Sequence, residues 1–202
     1  MENLEELSKP EEIVNLQKDL KKYGTVDTRE TGWKGNVIDV FNKHGFKMIG
    51  SGKYGLVFSH PNNSSYVVKF FMKDAAFLRW WKFSIANKMN PYVPKFKGMI
   101  TKVTDNFYSV RMETLSPIWK SRIAEEDYRK FMDGFDAYPA KIPADKNVLA
   151  VYEFMYKNKN LLDIHSENVM ARGDQLVVLD PLYNFFKANY TIDPNDFDWK
   201  NI

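Results

Sequence analysis

Gly50-Ser51-Gly52-Lys53-Tyr54-Gly55-Leu56-Val57, followed by Tyr66-Val67-Val68-Lys69, has the residue types that suit a bound anion. Glycines let the backbone approach a phosphate with no side chain in the way. An ammonium group at Lys69, among alternating apolar residues, is oddly placed unless it meets negative charge. A second stretch, Asp163-Ile164-His165-Ser166-Glu167-Asn168, precedes Val177-Val178-Leu179-Asp180. These types suit a hydroxyl and a divalent cation. Phosphoryl transfer needs a carboxylate near the attacking hydroxyl and oxygen ligands that hold Mg²⁺ against the phosphates. Asp163 and Asn168 are close enough in the chain for one tight loop to present both. Asp180 ends the apolar run Leu176-Val177-Val178-Leu179, which predicts a buried strand.

Each signal alone admits a plainer reading. The spacing G-x-G-x-x-G also serves dinucleotide-binding folds, where the glycines lie between a strand and a helix. Here Leu56-Val57-Phe58 continues as a strand and a turn leads into a third, so Gly50, Gly52 and Gly55 fall at a hairpin tip. The hairpin could still be an ordinary glycine-rich turn, with Lys69 snorkelling from the sheet. Asp163, Asn168 and Asp180, taken singly, read equally as a turn aspartate, an Asx-turn asparagine and a helix cap. His165 is expected to be a structural histidine bonded to nearby backbone. With three histidines and no cysteine, a zinc site is not expected.

The elements that would position these residues follow from periodicity. Ser8, Pro10, Glu11 and Glu12 open a helix whose stripe is Ile13, Leu16 and Leu20, and Gly24 stops it. Residues 25–32 read as a loop. A second helix, about Trp33 to His44, carries Val37, Val40 and Phe41 and ends at Gly45. Strands are expected at Phe46–Ile49, Leu56–Ser59 and Tyr66–Phe71, then near Gly98–Val103 and Phe107–Glu113. A helix over 74–88, with Phe77, Trp80, Trp81 and Ile85 as core candidates, interrupts them. Beyond Pro117 come helices near Ala124–Tyr138 and Asp145–Lys159. A hairpin of Asn168–Ala171 and Gln175–Leu179 then turns at Arg172-Gly173-Asp174. Five strands with one embedded helix, then helices with one hairpin, predict an α+β layout in two lobes. The aromatics Tyr183, Phe185, Phe186, Tyr190, Phe197 and Trp199 predict a C-terminal tail packed back on the core.

A chain of 202 residues, 44% hydrophobic and 15% aromatic, is long enough to bury a core, and its composition argues against wholesale disorder. Its 29 basic and 26 acidic residues are intermingled, and a net charge of +3 announces neither nucleic acid nor membrane as partner. No apolar run approaches the roughly 20 residues that span a bilayer. The acidic N-terminus is wrong for a signal peptide, and the absence of cysteine is compatible with a reducing cytoplasm.

Together the motifs resemble the protein-kinase-like superfamily. Gly50-x-Gly52-x-x-Gly55-x-Val57 looks like the glycine-rich loop and Val67-Val68-Lys69 like the strand lysine. Asp163-x-His165-x-x-Asn168 looks like the catalytic loop in the form of small-molecule kinases, and Leu179-Asp180-Pro181 stands where D-F-G would be. With Gly45-Phe46-Lys47-Met48-Ile49-Gly50 and Ser59-His60-Pro61, the chain is similar to the small early serine/threonine protein kinases of lytic bacteriophages.

The resemblance implies ATP and Mg²⁺ as cofactors, with Asp163 as catalytic base and Lys69 on the phosphates. Gly50, Ser51, Gly52, Gly55 and Val57 would surround the nucleotide, and the backbone at Glu113 and Leu115 would bind adenine. Asn168 and Asp180 would hold the metal. It implies a minimal two-lobed fold: a helical extension at 1–44, a sheet lobe with one helix at 45–115, and a short helical lobe with a tail at 116–202. The acceptor would be a host protein in the host cytoplasm, modified during takeover.

Departures from the family leave other readings open. No glutamate lies between Lys73 and Lys97, where the only acid is the early Asp74, so either Asp180 would position Lys69 or the active geometry would differ. H-R-D is missing, Pro181 replaces the phenylalanine of D-F-G, and no A-P-E-like end is visible. Substrate recognition would then fall to the N-terminal helices or the loop at 136–145. A nucleotide-binding inhibitor of a host factor, a small-molecule kinase and an adenylyl transferase are the alternatives.

Overall fold

A computed structural model describes residues 11–22, 33–60, 62–72, 74–104 and 107–183. Ser8, Pro10, Gly24, the loop at 25–32 and the aromatics from Phe185 onward lie outside the described residues. The architecture is α+β, with a five-stranded antiparallel sheet and several helices. It forms two compact units. The described residues up to Asp74, together with Phe96–Thr114, make the first. Ala75–Lys95 and the described residues from Leu115 make the second.

In the first unit, α1 (Glu11–Lys22) and α2 (Trp33–Lys43) precede β1 (Lys47–Ser51), β2 (Gly55–His60) and β3 (Asn63–Met72). Strands β4 (Phe96–Lys102) and β5 (Phe107–Glu113) complete a sheet of order β1-β2-β3-β5-β4. Side chains alternate across a strand, and Leu56, Phe58, Tyr66, Val68 and Phe70 take one face. They form a single buried core with Leu16 and Leu20 of α1 and Trp33, Val37, Val40 and Phe41 of α2. The helices ahead of residue 45 therefore belong to the core of the sheet. Asp19 joins the two helices, its Oδ2 lying 3.2 Å from Lys43 Nζ and 2.9 Å from His44 Nε2.

The end of α2 shows how local sequence sets geometry. Gly45 has φ +80°, which suits a residue without a Cβ. Its N–H donates to the Asn42 carbonyl at 2.9 Å and that of Phe46 to the Phe41 carbonyl at 3.0 Å. This pair of bonds is the Schellman motif, and its usual apolar contact is the edge-on meeting of Phe41 and Phe46 at 5.5 Å.

In the second unit, α3 (Ala75–Ala86) is buried nearly all round through Ala75, Ala76, Phe77, Leu78, Trp80, Trp81 and Ser84. The embedded helix was expected to belong with the sheet lobe, yet it groups with this unit. Trp80 and Val93 share a core with Val151, Tyr152 and Met155, and Asn90 Nδ2 donates to the Asn147 carbonyl at 2.8 Å. Ile85, expected in the core, is exposed. Helix α4 (Arg122–Asp136) starts at Ser121, whose Oγ accepts from Ala124 N at 3.1 Å and donates to Asp174 Oδ1 at 2.8 Å. Helix α5 (Lys146–Lys157) starts at Asp145, which accepts from Asn147 N at 2.8 Å. Strands β6 (Ser116–Pro117), β7 (Val169–Arg172) and β8 (Gln175–Val178) form a small antiparallel sheet, and Gly173 turns β7 into β8 at φ +61°.

Tyr152 locks α5 to α4: its hydroxyl donates to the Phe131 carbonyl at 2.5 Å. Burial, with Tyr92 and Asp133 nearby, pushes that hydroxyl up to about 12. A raised tyrosine contributes stability fully below its ordinary value of 10.0 and loses it as pH climbs through about 12. Alkaline melting should therefore cost the wild type more than Tyr152→Phe over that window. Gly134 sits beneath the same hydroxyl, where an added Cβ would come within 2.5 Å of Tyr152 Oη. Alanine gains about 1 kcal/mol of helix propensity over glycine, but overpacking a fixed neighbour costs about 1–3 kcal/mol. Gly134→Ala should lower Tm, and adding Tyr152→Phe should restore part of the loss.

Candidate functional site

The glycine hairpin joins β1 to β2, with Gly52 N donating to the Gly55 carbonyl at 2.9 Å. Only one of its glycines is demanded by the protein's own packing. A Cβ at Gly55 would meet the Phe70 carbonyl at 3.0 Å and Phe71 Cβ at 3.3 Å. At Gly50 the nearest atom is Val57 Cβ, at an ordinary 3.6 Å. At Gly52 nothing lies within 4 Å. The bare backbone at Gly52 thus faces open space that a ligand can enter, with Ser51 exposed beside it.

Cross-strand register places the expected ligand-facing residues in one row. Gly50 pairs with Val57, Val57 with Lys69, and Lys69 with Val110. Directly paired residues share a face, so these four lie on the side of the sheet opposite the core packed by α1 and α2. Lys69 is half-buried in the central strand rather than snorkelling at an edge. Glu113 ends β5 half-buried, paired with Tyr66, and Thr114 N donates to the Ser65 carbonyl at 3.2 Å. Leu115, also half-buried, opens the next segment of the second unit.

In the second unit, backbone hydrogen bonds gather Asp163, Asn168 and Asp180. The Asn168 carbonyl accepts from Leu179 N at 2.8 Å and from Asp180 N at 3.3 Å. Asp163 N donates to the Pro181 carbonyl at 2.9 Å, and Leu162 bridges to Leu182. Residues far apart in sequence become neighbours because β8 runs directly into this pairing. Leu176, Val177 and Val178 are fully buried, which anchors the strand. Inside the loop, Asn168 N donates to the His165 carbonyl at 2.9 Å, and Asn168 Nδ2 to the Asp163 carbonyl at 2.5 Å.

These bonds orient the chemistry. With its amide nitrogen committed, Asn168 keeps its side-chain oxygen for another partner. Asp180 Oδ1 is buried, whereas Asp163 remains about half exposed. The side-chain types of Asn168 and Asp180, an amide oxygen and a carboxylate, suit a hard divalent cation. Among the described residues no three His, Cys, Asp or Glu side chains gather as a metal cluster. A cation that shares phosphate oxygens and waters needs only one or two such protein ligands.

Two contacts were not foreseen. His165 receives the Glu167 N–H on Nδ1 at 3.3 Å, as a structural histidine would. Its Nε2 also lies 3.0 Å from Asn168 Nδ2 and 3.7 Å from Asp163 Oδ1. Lys34, at the start of α2, donates from Nζ to the Gly52 carbonyl at 2.9 Å and to Ser51 Oγ at 3.4 Å. Nothing in the local pattern around Lys34 signals that reach. No protein-family model matches the chain, and no curated protein is significantly similar to it.

Gly52 and Gly55 can be told apart by experiment. Gly55→Ala should lose about 1–3 kcal/mol of stability by overpacking. Gly52→Ala should change stability by no more than about 0.5 kcal/mol while weakening any ligand that uses the open backbone. Paired urea melts and ligand-induced Tm shifts check both.

Proposed function

We propose that this protein is a Mg-ATP-dependent phosphotransferase of protein-kinase-like fold, with a protein serine or threonine hydroxyl as acceptor. The observation that carries the reading is the gathering of Asp163, Asn168 and Asp180 by the backbone bonds of Asn168 and Pro181. Its support also includes the row Gly50–Val57–Lys69 and the open space over Gly52. The choice of a protein acceptor, and of a phage protein acting on its host, rests on the sequence resemblance.

In this reading the half-exposed Asp163 accepts a hydrogen bond from the acceptor hydroxyl and orients its oxygen toward the γ-phosphorus. The new O–P bond forms as the bond to the β,γ-bridging oxygen breaks, and ADP leaves. The hydroxyl proton passes to the Asp163 carboxylate. Lys69 neutralises phosphate charge, and the glycine hairpin covers the phosphates with backbone N–H groups. Asn168 and Asp180 would hold magnesium, which when bound supplies charge neutralisation on the β- and γ-oxygens. Val57 would cover the base, and the backbone near Glu113 and Leu115 would meet adenine.

A second reading, a nucleotide-binding inhibitor without turnover, has one specific observation in its favour. Helix α3 carries Arg79 and Lys82 but no carboxylate, so it offers no acidic partner to a phosphate-binding lysine. Transfer from γ-labelled ATP with Mg²⁺ separates the two, using the protein itself and a bacterial lysate as acceptors. Label is expected with wild type and at least 100-fold less with Asp163→Asn, the scale on which general acid–base groups act. A large loss is also expected with Asp180→Ala, which removes a proposed magnesium ligand. A Tm raised by Mg-ATP without transferred label would support the inhibitor. Label confined to small molecules would shift the acceptor class, and label from α-labelled ATP would show adenylyl transfer.

A further inference from the structure

We propose that Lys34 is a positioning residue for the glycine hairpin, making nucleotide affinity depend on a side chain of α2. This rests on the nucleotide-binding reading above. Lys34 is the second residue of α2, where a cation opposes the helix dipole, and the first turn has no acid to offset it. The placement is locally unfavourable, and the contact that the side chain makes offsets that cost. The contact is specific: Nζ reaches the Gly52 carbonyl at 2.9 Å and Ser51 Oγ at 3.4 Å.

The anchor behind Lys34 is firm. Trp33 is buried, and its ring meets Phe107 at 5.0 Å and Phe70 at 6.4 Å. Lys34 Nζ also lies 5.9 Å from the centre of that ring, which restricts the side chain further. A lysine sprung from a fixed tryptophan thus grips the tip of the hairpin.

The chemical effect follows from the planarity of the peptide bond. The Gly52–Lys53 peptide is trans, so its C=O and N–H point in opposite directions. Holding the Gly52 oxygen toward α2 turns the Lys53 N–H the other way. Were this peptide to flip, a carbonyl oxygen would face the arriving phosphate and repel it. Lys34 therefore keeps the loop in the orientation that turns the Gly52 oxygen away from the phosphate. Since Gly52 has no Cβ and nothing within 4 Å of where one would be, side-chain packing cannot supply that restraint.

The test compares wild type with Lys34→Ala, Lys34→Gln, which removes the charge but keeps an unbranched side chain, and Lys34→Arg. Amide exchange across residues 50–55 without nucleotide should quicken in the alanine and glutamine variants and return toward wild type in the arginine variant. KM for ATP should rise about tenfold, ~1.4 kcal/mol, with kcat within about twofold, because only binding is weakened. Unchanged exchange together with unchanged KM would overturn the proposal. So would a fall in kcat at constant KM, which would move Lys34 into the chemical step. If wild type neither binds nor turns over ATP, the functional reading fails, and with it the dependence of affinity on Lys34. The exchange measurement still decides whether Lys34 holds the hairpin.

Discussion

Register in the central strand β3 is the constraint on which the first unit depends. Its residues pair on both sides, with β2 and with β5, so no single rung can move alone. Because side chains alternate, a slip of one residue would push Lys69 into the core with Phe41 and Phe58 and take Val68 and Phe70 out of it. Several buried aromatic and aliphatic groups, at about 1.5–3 kcal/mol each, oppose that slip. The same alternation that fills the core delivers Lys69, Val57 and Gly50 to the opposite face. Phe41 stacks on Phe58 with ring centres 3.7 Å apart, so the helix layer reports directly on strand register.

The second unit positions its groups differently. Its key loop is irregular, and backbone polar groups in such a loop need partners. Asn168 answers much of that need: its carbonyl serves two N–H groups, its own N–H caps the turn, and its side chain ties back to residue 163. One asparagine thus connects loop shape to the end of β8. Tyr152 performs a similar service deeper in the unit, coupling α5 to the α4 backbone.

What could be read in the sequence was local or periodic. The ends of α2, the hairpin around Gly173 and the strands flanking the glycines follow from propensity, period-two alternation and glycine conformation. So does burial of Leu16, Leu20, Val37, Val40 and Phe41, whose spacing marks one helix face. The grouping of α3 with the second unit was not legible, since a helix apolar on nearly all sides does not say which neighbour it joins. Ile85 illustrates the same limit near the end of that helix, where α3 is only partly enclosed. The candidate site residues could be named because their types are chemically unusual for their surroundings. Contacts such as Lys34 with Gly52 and His165 with Asn168 depend on folded geometry, and composition carries no trace of them.

The turn at Gly45 has a mechanical consequence. It closes α2 onto β1 with no slack, while at the other end of the helix Lys34 reaches the hairpin tip that β1 leads into. Helix, strand and side chain form a triangulated frame, fixed at three corners. A free hairpin of this length would swing as a flap about its base. The bond from Lys34 opposes that swing, because α2 is packed into the core through Trp33, Val37 and Phe41. Whatever freedom that bond takes from the loop is lost on folding and so is not charged to an incoming molecule.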